Sequence, residues 1–226
     1  MNQKNVEELI AKNDVRTVIL AGTDPTGILR GKRFSSAAFM RSLNHGIHLA
    51  NFILYTTTVD DPMPWLFETG IPDCTGIPDL KTFRVAPWEE GAAICLVDWY
   101  QNGEPSPLCP RSELKRQISK LRERDWAESY AMEMEFYLIN RPISIFRSGD
   151  WNMPELASQD IHCYSIYEGH FWEPFVSKIR DCFPDEVESC LPEWGQGQFE
   201  INLRHSDALS MADTTIIFKT AIKQLA

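Results

Sequence analysis

Apolar residues recur first at helical spacing and then at alternate positions, and these two periods divide the chain into elements before any chemistry is considered. Val6, Leu9 and Ile10 form one short helical face. Val18, Ile19 and Leu20 run as a strand into Asp24-Pro25-Thr26-Gly27, a tight-turn sequence, and Ile28 to Phe34 returns as the second strand of a hairpin. From 57 to 91 the pattern is broken by Pro, Gly and Asp, so a long irregular segment is expected, held in order by Trp65, Phe67 and Phe83. Ala92 to Asp98 is an apolar strand, and Asn102-Gly103 after it tolerates the positive dihedrals of a hairpin turn. Pro105, Pro107 and Pro110 stiffen the next stretch. A boundary between domains 1–105 and 106–226 is placed there.

Beyond that boundary, Leu114, Ile118 and Leu121 recur at helical spacing, with Lys and Arg on the other face and Pro110 or Ser112 at the start. A strand follows in Ala131-Met132-Glu133-Met134-Glu135-Phe136, then a loop over 141–165. Phe171, Phe175 and Ile179 mark a second helical face. The stretch from Glu200 to Arg204 alternates polar and apolar as a strand with one wet face does, which puts Glu200, Asn202 and Arg204 together. Asp207 or Ser206 then caps a helix carrying Leu209, Ala212, Ile216 and Leu225.

The 226 residues suffice for one large or two small domains. A formal net charge of −10 argues against a nucleic-acid surface, which needs clustered Lys and Arg. The one basic cluster, Arg30, Lys32 and Arg33, reads as a solvated edge strand or as a contact to an anionic ligand or a neighbouring subunit. No apolar run is long enough to span a bilayer and the N-terminus lacks a signal-peptide core, so a cytoplasmic protein is expected. Six cysteines lie scattered without C-x-x-C spacing, as reduced thiols do.

The chemistry concentrates in two acidic segments. Glu133 and Glu135 occupy alternate positions of an apolar strand and so share a face, opposite Met132, Met134 and Phe136. Glu193 and Glu200 flank a turn that Gly195 and Gly197 allow to be sharp. An isolated E-x-E pair equally fits the solvent side of an amphipathic strand. Together, the four carboxylates make an all-oxygen set suited to a hard divalent cation, Mg²⁺ or Mn²⁺, of the kind that handles nucleotide phosphates.

Glu133-x-Glu135 followed by Glu193-x-x-x-Gly197-Gln198-x-Glu200 resembles the metal-binding glutamate set of the glutamine synthetase family. The run from Glu200 to Asp213 is more similar to the glutamate–putrescine ligase branch than to the ammonia-using enzymes. The resemblance implies an α+β fold, an N-terminal β-grasp domain followed by the first half of the catalytic α/β domain with its antiparallel sheet and helices. It implies ATP as co-substrate, Mg²⁺ or Mn²⁺, glutamate and an amine as substrates, and a homo-oligomeric ring with sites between subunits. By the same likeness Glu135, Glu193 and Glu200 would hold the cation near glutamate, and Glu133 the one bridging the ATP phosphates. Glu188 matches a nucleotide-contacting glutamate, and Tyr164-Ser165 a segment near the amine. His205 is a candidate for the nucleotide side, and Arg204 for a phosphate or substrate carboxylate. Each of these four has a plain structural alternative as a solvated or packed residue. No catalytic base is identified.

The ammonia-using enzymes carry an aspartate in the small-domain loop, where Asp60 and Asp61 fall here without the D-G-S-S pattern around them. That departure leaves room for a larger amine. Family members continue for about as long again beyond the position of Ala226, so a fragment inactive by itself is expected. The alternatives are an ammonia-using glutamine synthetase, a non-catalytic relative kept for structure or interaction, and, less well supported by ligand type, a metal-dependent hydrolase.

Overall fold

The computed structural model describes residues 1–140, 144, 149, 155–158, 160–161 and 163–226. Most of the expected 141–165 loop lies outside them. The chain packs into two compact units, residues 1–128 with 207–224, and 129–206 with the last two residues. This division of packing differs from the 1–105 and 106–226 split, because helices from either side of the second unit join the first.

In the first unit, α1 (Gln3–Lys12) begins with a capping box in which the Asn2 and Asn5 side chains each accept the other's backbone N–H. Strands β1 (Thr17–Thr23) and β2 (Leu29–Ser35) form the expected hairpin, in register from Thr17 opposite Ser35 to Thr23 opposite Leu29. Its turn is built on Asp24, fully buried, whose carboxylate accepts from the Thr26 and Ile28 amides, the Thr26 hydroxyl and Arg30 Nε. The ten-residue β6 (Ala92–Gln101) lies parallel to β1, since a crossover separates the two, and Asn102-Gly103 turns it into the short β7 (Glu104–Pro105). Strands β3 (Ile47–Ala50), β4 (Asp73–Pro78) and β5 (Arg84–Val85) complete a seven-stranded mixed sheet of order β2-β1-β6-β4-β3, with β5 and β7 also on β6. The hairpin joined by a parallel central strand is the expected β-grasp arrangement. Val18, Leu20, Phe39, Leu54, Cys95 and Trp99 form its core.

Several elements differ from expectation. Ser36–Ser42 forms α2, capped by Ser35. The segment 57–91 contains β4, because β6 supplies ladder partners from Thr75–Tyr100 to Pro78–Val97 that outweigh the turn propensity of Gly76 and Pro78. Helix α3 (Pro110–Arg122) starts at Pro110, with Cys109 at the N-cap position, and buries Ile118 as expected, but it also buries Arg111. All six cysteines are free.

The second unit is a three-stranded antiparallel sheet, β8 (Tyr130–Tyr137), β10 (Gln198–Ser206) and β9 (Val187–Pro192), with β10 central. Helix α4 (Ile166–Cys182), capped by Ser165, packs its Phe175 edge-on against Phe136 and its Trp172 against Phe199. Phe171, expected in that core, is 54% exposed and packs on Tyr167, one turn earlier in the helix. The face used instead is Trp172, Phe175, Val176 and Ile179. Helix α5 (Ala208–Leu225) belongs mainly to the first unit, with Asp207 capping it through the Ser210 amide. It buries Met211, Ile217, Phe218, Ala221 and Ile222 rather than the expected Leu209, Ala212, Ile216 and Leu225. This helix is apolar nearly all round, so its spacing fits two faces and the bulk of Phe218 goes inward. Among the described residues no helix is long and apolar enough to cross a membrane.

Candidate functional site

The register of the second sheet decides which side chains share its open face. Glu135 lies opposite Glu200, which faces Leu191 on its other side, and Glu133 lies opposite Asn202, which faces Ser189. Phe136, Met134 and Met132 pair with Phe199, Ile201 and Leu203 on the other face. Period-2 alternation thus sends the apolar set to α4 and the carboxylates the other way. Glu193 joins them from the turn after β9, where its N–H donates to the Gln198 carbonyl at 2.8 Å. Gly197 sits there at φ +67°, and a Cβ would stand 3.1 Å from the Leu138 carbonyl oxygen and the Ala157 nitrogen.

The carboxyl of Glu200 is held above its ordinary range, first by burial and then by the charges of Glu133, Glu193 and Glu135. The other three acids therefore lie within electrostatic reach of Glu200. Among the described residues no three His, Cys, Asp or Glu side chains stand close enough together to form a ready metal cage. Two of the carboxylates are tied to protein donors instead. Gln198 Nε2 donates to Glu135 at 2.5 Å, and the Trp194 amide donates to Glu193 at 2.6 Å. The donor set nevertheless fits a hard divalent cation, being four carboxylates of which three raise the proton affinity of Glu200 at the open sheet face. Rotation of Glu135 and Glu193 away from their donors is what coordination would require.

Tyr164 lies beside this face. Its phenol is raised above the usual tyrosine value by Cys163 first, then by Glu193, burial, Glu200 and Glu133. Its N–H donates to the Pro192 carbonyl at 3.0 Å, and its backbone is left-handed at φ +60°, uncommon for a bulky residue. The other expected residues are not brought in. Glu188 sits at the β9–β10 register shift and is exposed. Arg204 and His205 are exposed where the β8–β10 register shifts, and neither is among the groups that set the proton affinity of Glu200.

Gln198 does more than a surface amide would. Its Oε1 accepts from the Gly195 N–H at 2.8 Å and from the Tyr137 hydroxyl at 3.4 Å while its nitrogen holds Glu135. Only its place between Gly197 and Glu200 pointed to it in the sequence. In the first unit the basic cluster is consumed internally. Arg30 bridges Asp24 and Asp60, Arg33 pairs with Glu89, and Lys32 donates to the His48 carbonyl. Asp60 is therefore forked onto a guanidinium.

The family model of the glutamine synthetase catalytic domain matches residues 107–226. The chain belongs to the glutamine synthetase family. It is 31% identical over 98% of its length to a glutamate–isopropylamine ligase of a Pseudomonas species, of which it covers 50%. It is 32% identical to type-1 glutamine synthetase 2 of Dictyostelium discoideum, covering 98% of this chain and 45% of the relative. Human lengsin is 27% identical over 99% of this chain and 43% of its own length. The solved GmaS/ADP complex superimposes with a TM-score of 0.80 at 22% identity, covering 97% of this chain and 48% of that one. The glutamine synthetase-type fold follows from these likenesses. The chain spans about half the length of the curated relatives it matches.

Proposed function

We propose that this chain is part of an ATP-dependent ligase that joins the γ-carboxylate of glutamate to an amine. The observation that carries the reading is the shared face of Glu133, Glu135, Glu193 and Glu200 in a family whose named members include glutamate–amine ligases and glutamine synthetases. Bound Mg²⁺ or Mn²⁺ would neutralise the charge that develops on the transferring phosphoryl group. Glu135, Glu193 and Glu200 would hold the cation beside glutamate, and Glu133 the one beside ATP. The γ-phosphoryl group passes from ATP to the glutamate γ-carboxylate with release of ADP. The amine nitrogen then attacks the acyl carbon, inorganic phosphate leaves, and the nitrogen gives up a proton.

The glycine turn brings Glu193 toward this task, and Gln198 would release Glu135, which it holds in the cation-free chain, on coordination. Tyr164 stands at the amine side, with Arg204 assigned to a substrate carboxylate or phosphate and Glu188 and His205 to the nucleotide. The expected amine is putrescine or one of similar kind. Asp60, forked onto Arg30, gives no free carboxylate of the sort expected in an ammonium site. Assembly into a homo-oligomer in the cytoplasm belongs to the same reading.

A second reading, a non-catalytic relative, is favoured by the carboxylates being tied to Gln198 and Trp194 rather than gathered. Glutamate-dependent ADP release with Mg²⁺ or Mn²⁺, with putrescine or ammonium and with Glu200→Gln beside the parent, separates the two. In the whole ligase of which this chain would be part, the ligase reading expects turnover that the variant loses, while the chain by itself, expected to be inactive, should still bind Mn²⁺ at the cluster. Absence of both turnover and Mn²⁺ binding at the cluster would sink it.

A further inference from the structure

We propose that a cavity in the first unit, walled by Asn51, Tyr55, Trp65 and Asp73, binds the guanidinium group of a small molecule. The proposal does not depend on the ligase reading, whose carboxylates belong to the second unit.

The cavity measures about 190 Å³, and every residue that lines it belongs to the first unit. Two short 3-10 turns, Asn51–Leu54 and Pro64–Thr69, bring Asn51, Trp65 and Thr69 to it, and the end of β6 brings Gln101. The Asn51 N–H donates to the Pro72 carbonyl at 2.9 Å, which ties the first of these turns to the approach to β4.

Asn51 is the decisive wall residue. It is 6% exposed, and its Oδ1 is buried without a hydrogen-bond partner. A buried carboxamide left unpaired is costly, and a fold keeps one where a ligand or water completes it. Rotation about χ2 exchanges its oxygen and nitrogen, so the oxygen can be presented to the cavity. A single water takes up ~30 Å³, a small part of this space.

The other walls choose the ligand. The hydroxyls of Tyr55 and Thr69 donate to Gln101 Oε1 at 3.2 Å and to the Leu66 carbonyl at 2.8 Å, so neither has a proton left for the cavity. Gln101, whose oxygen also accepts from the Ser106 hydroxyl, belongs to the frame of the cavity. Asp73 is the one charged residue in the lining, and its exposed carboxylate pairs with no cation among the described residues. Trp65 stands edge-on to Tyr55, with ring centroids 5.1 Å apart, and is half open to solvent. The wall therefore asks for a cation rich in N–H donors that also packs on aromatic rings. A guanidinium is planar and weakly hydrated, stacks on such rings, forks onto a carboxylate and keeps further N–H groups for the Asn51 oxygen. An ammonium, compact and strongly hydrated, gains less from flat aromatic walls.

Proton–nitrogen NMR of this chain, read at the side-chain amides and indoles, tests the occupant by titration with ethylguanidinium, its neutral isostere ethylurea, and propylammonium. Ethylguanidinium should bind saturably and move the Asn51 amide and the Trp65 indole, with ethylurea and propylammonium each about tenfold weaker. Asn51→Leu should weaken ethylguanidinium about tenfold, and Asp73→Asn, at an exposed strand position, about threefold. The rest of each variant's spectrum should stay in place, which shows that it folds; if Asn51→Leu does not fold, Asp73→Asn carries the test. Equal binding of ethylurea would make this a neutral-amide site, and tighter propylammonium an ammonium site, and either overturns the proposal. Shifts at Glu133, Glu135 and Glu200 in place of Asn51 would mark attraction to acidic surface only. Those shifts, an indifferent Asp73→Asn, or no saturable binding, as in a cavity that holds water only, would overturn it as well.

Discussion

In the first unit three carboxylates, Asp79, Asp98 and Asp213, converge on the buried guanidinium of Arg111, each at 2.8 Å, and Lys115 adds a second cation at Asp98. In the second unit four glutamates share a sheet face, and what shifts Glu200 is burial and the other three acids. The first cluster carries its own counter-charge, fixed by strands and helices that it ties together. Among the described residues, the groups that shift Glu200 in the second include no cation. Carboxylates gathered without a cation cost stability, and a fold keeps them where a ligand offsets that cost. The difference separates a clamp from a site.

The most damaging way to break this comparison is to remove the counter-charge from the clamp. Arg111→Met leaves three acids buried around an apolar side chain, and an unpaired buried charge costs about 3–5 kcal/mol. Urea unfolding followed on the first unit should lose that much. A loss below about 1 kcal/mol would show the cluster to be solvated and the contrast false.

Supplying the missing charge to the other cluster is the next largest effect. A cation that binds the folded chain alone stabilises it by about 2.7 kcal/mol at a hundred times its dissociation constant. Mn²⁺ should raise the melting temperature accordingly, and Glu200→Gln should weaken Mn²⁺ binding at least tenfold, about 1.4 kcal/mol. Without the cation the same variant should melt no lower than the parent, because it removes a repelled charge. A variant that destabilises the cation-free chain would assign Glu200 to structure.

Much of the second cluster was legible because strand alternation is a strong local signal. Glu133, Glu135 and Glu200 reach one face through the period of two, and Met134 and Phe136 the other. The acids alone left a solvated strand open, and the paired motifs at family spacing are what gave them meaning. The clamp was not legible. Arg111 follows a proline in a helix whose Arg116, Lys120 and Arg122 face water, and its partners Asp79, Asp98 and Asp213 lie on three separate elements, so only the tertiary fold assembles them. Gly76 and Pro78 hid β4 for the same reason: its ladder partners are about twenty residues away. In α5 the failure was different. An all-round apolar helix satisfies two periodic faces, and the choice belongs to packing.

A smaller effect comes from the turn that brings Glu193 to Glu200. Gly197→Ala places a Cβ in the left-handed region and 3.1 Å from two backbone atoms, at a cost of about 1–2 kcal/mol. The loss should appear in the second unit's amide exchange together with weaker Mn²⁺ binding, since the turn and the cation would share one geometry. Lost stability with unchanged Mn²⁺ affinity would detach Glu193 from the site.

The gentlest probe is pH, because Asp24 and Asp79 of the first unit are held below the ordinary range and Glu200 of the second above it. Burial pushes Asp24 up, but the Ile28 amide, Arg30 and Thr26 outweigh it and hold it low. Asp79 is likewise raised by burial and brought lower still by Arg111 and the Lys81 amide. A lowered carboxyl binds fewer protons folded than unfolded, so its stabilisation is complete above the unfolded value near 3.8 and is lost as pH falls through the folded one. Asp213, raised by burial, opposes this in part. Glu200 has the other sign. Held above 4.5, it binds more protons folded, so the cation-free second unit should gain stability as pH falls toward 4.5. Amide exchange measured per unit between pH 6 and 3, with and without Mn²⁺, should show the second unit tightening on mild acidification only when the cation is absent, and the first unit loosening below about pH 4 in both conditions. If both units loosened together from pH 6 downward, the glutamates would be as well paired as the aspartates, and the contrast from which the site was inferred would be gone.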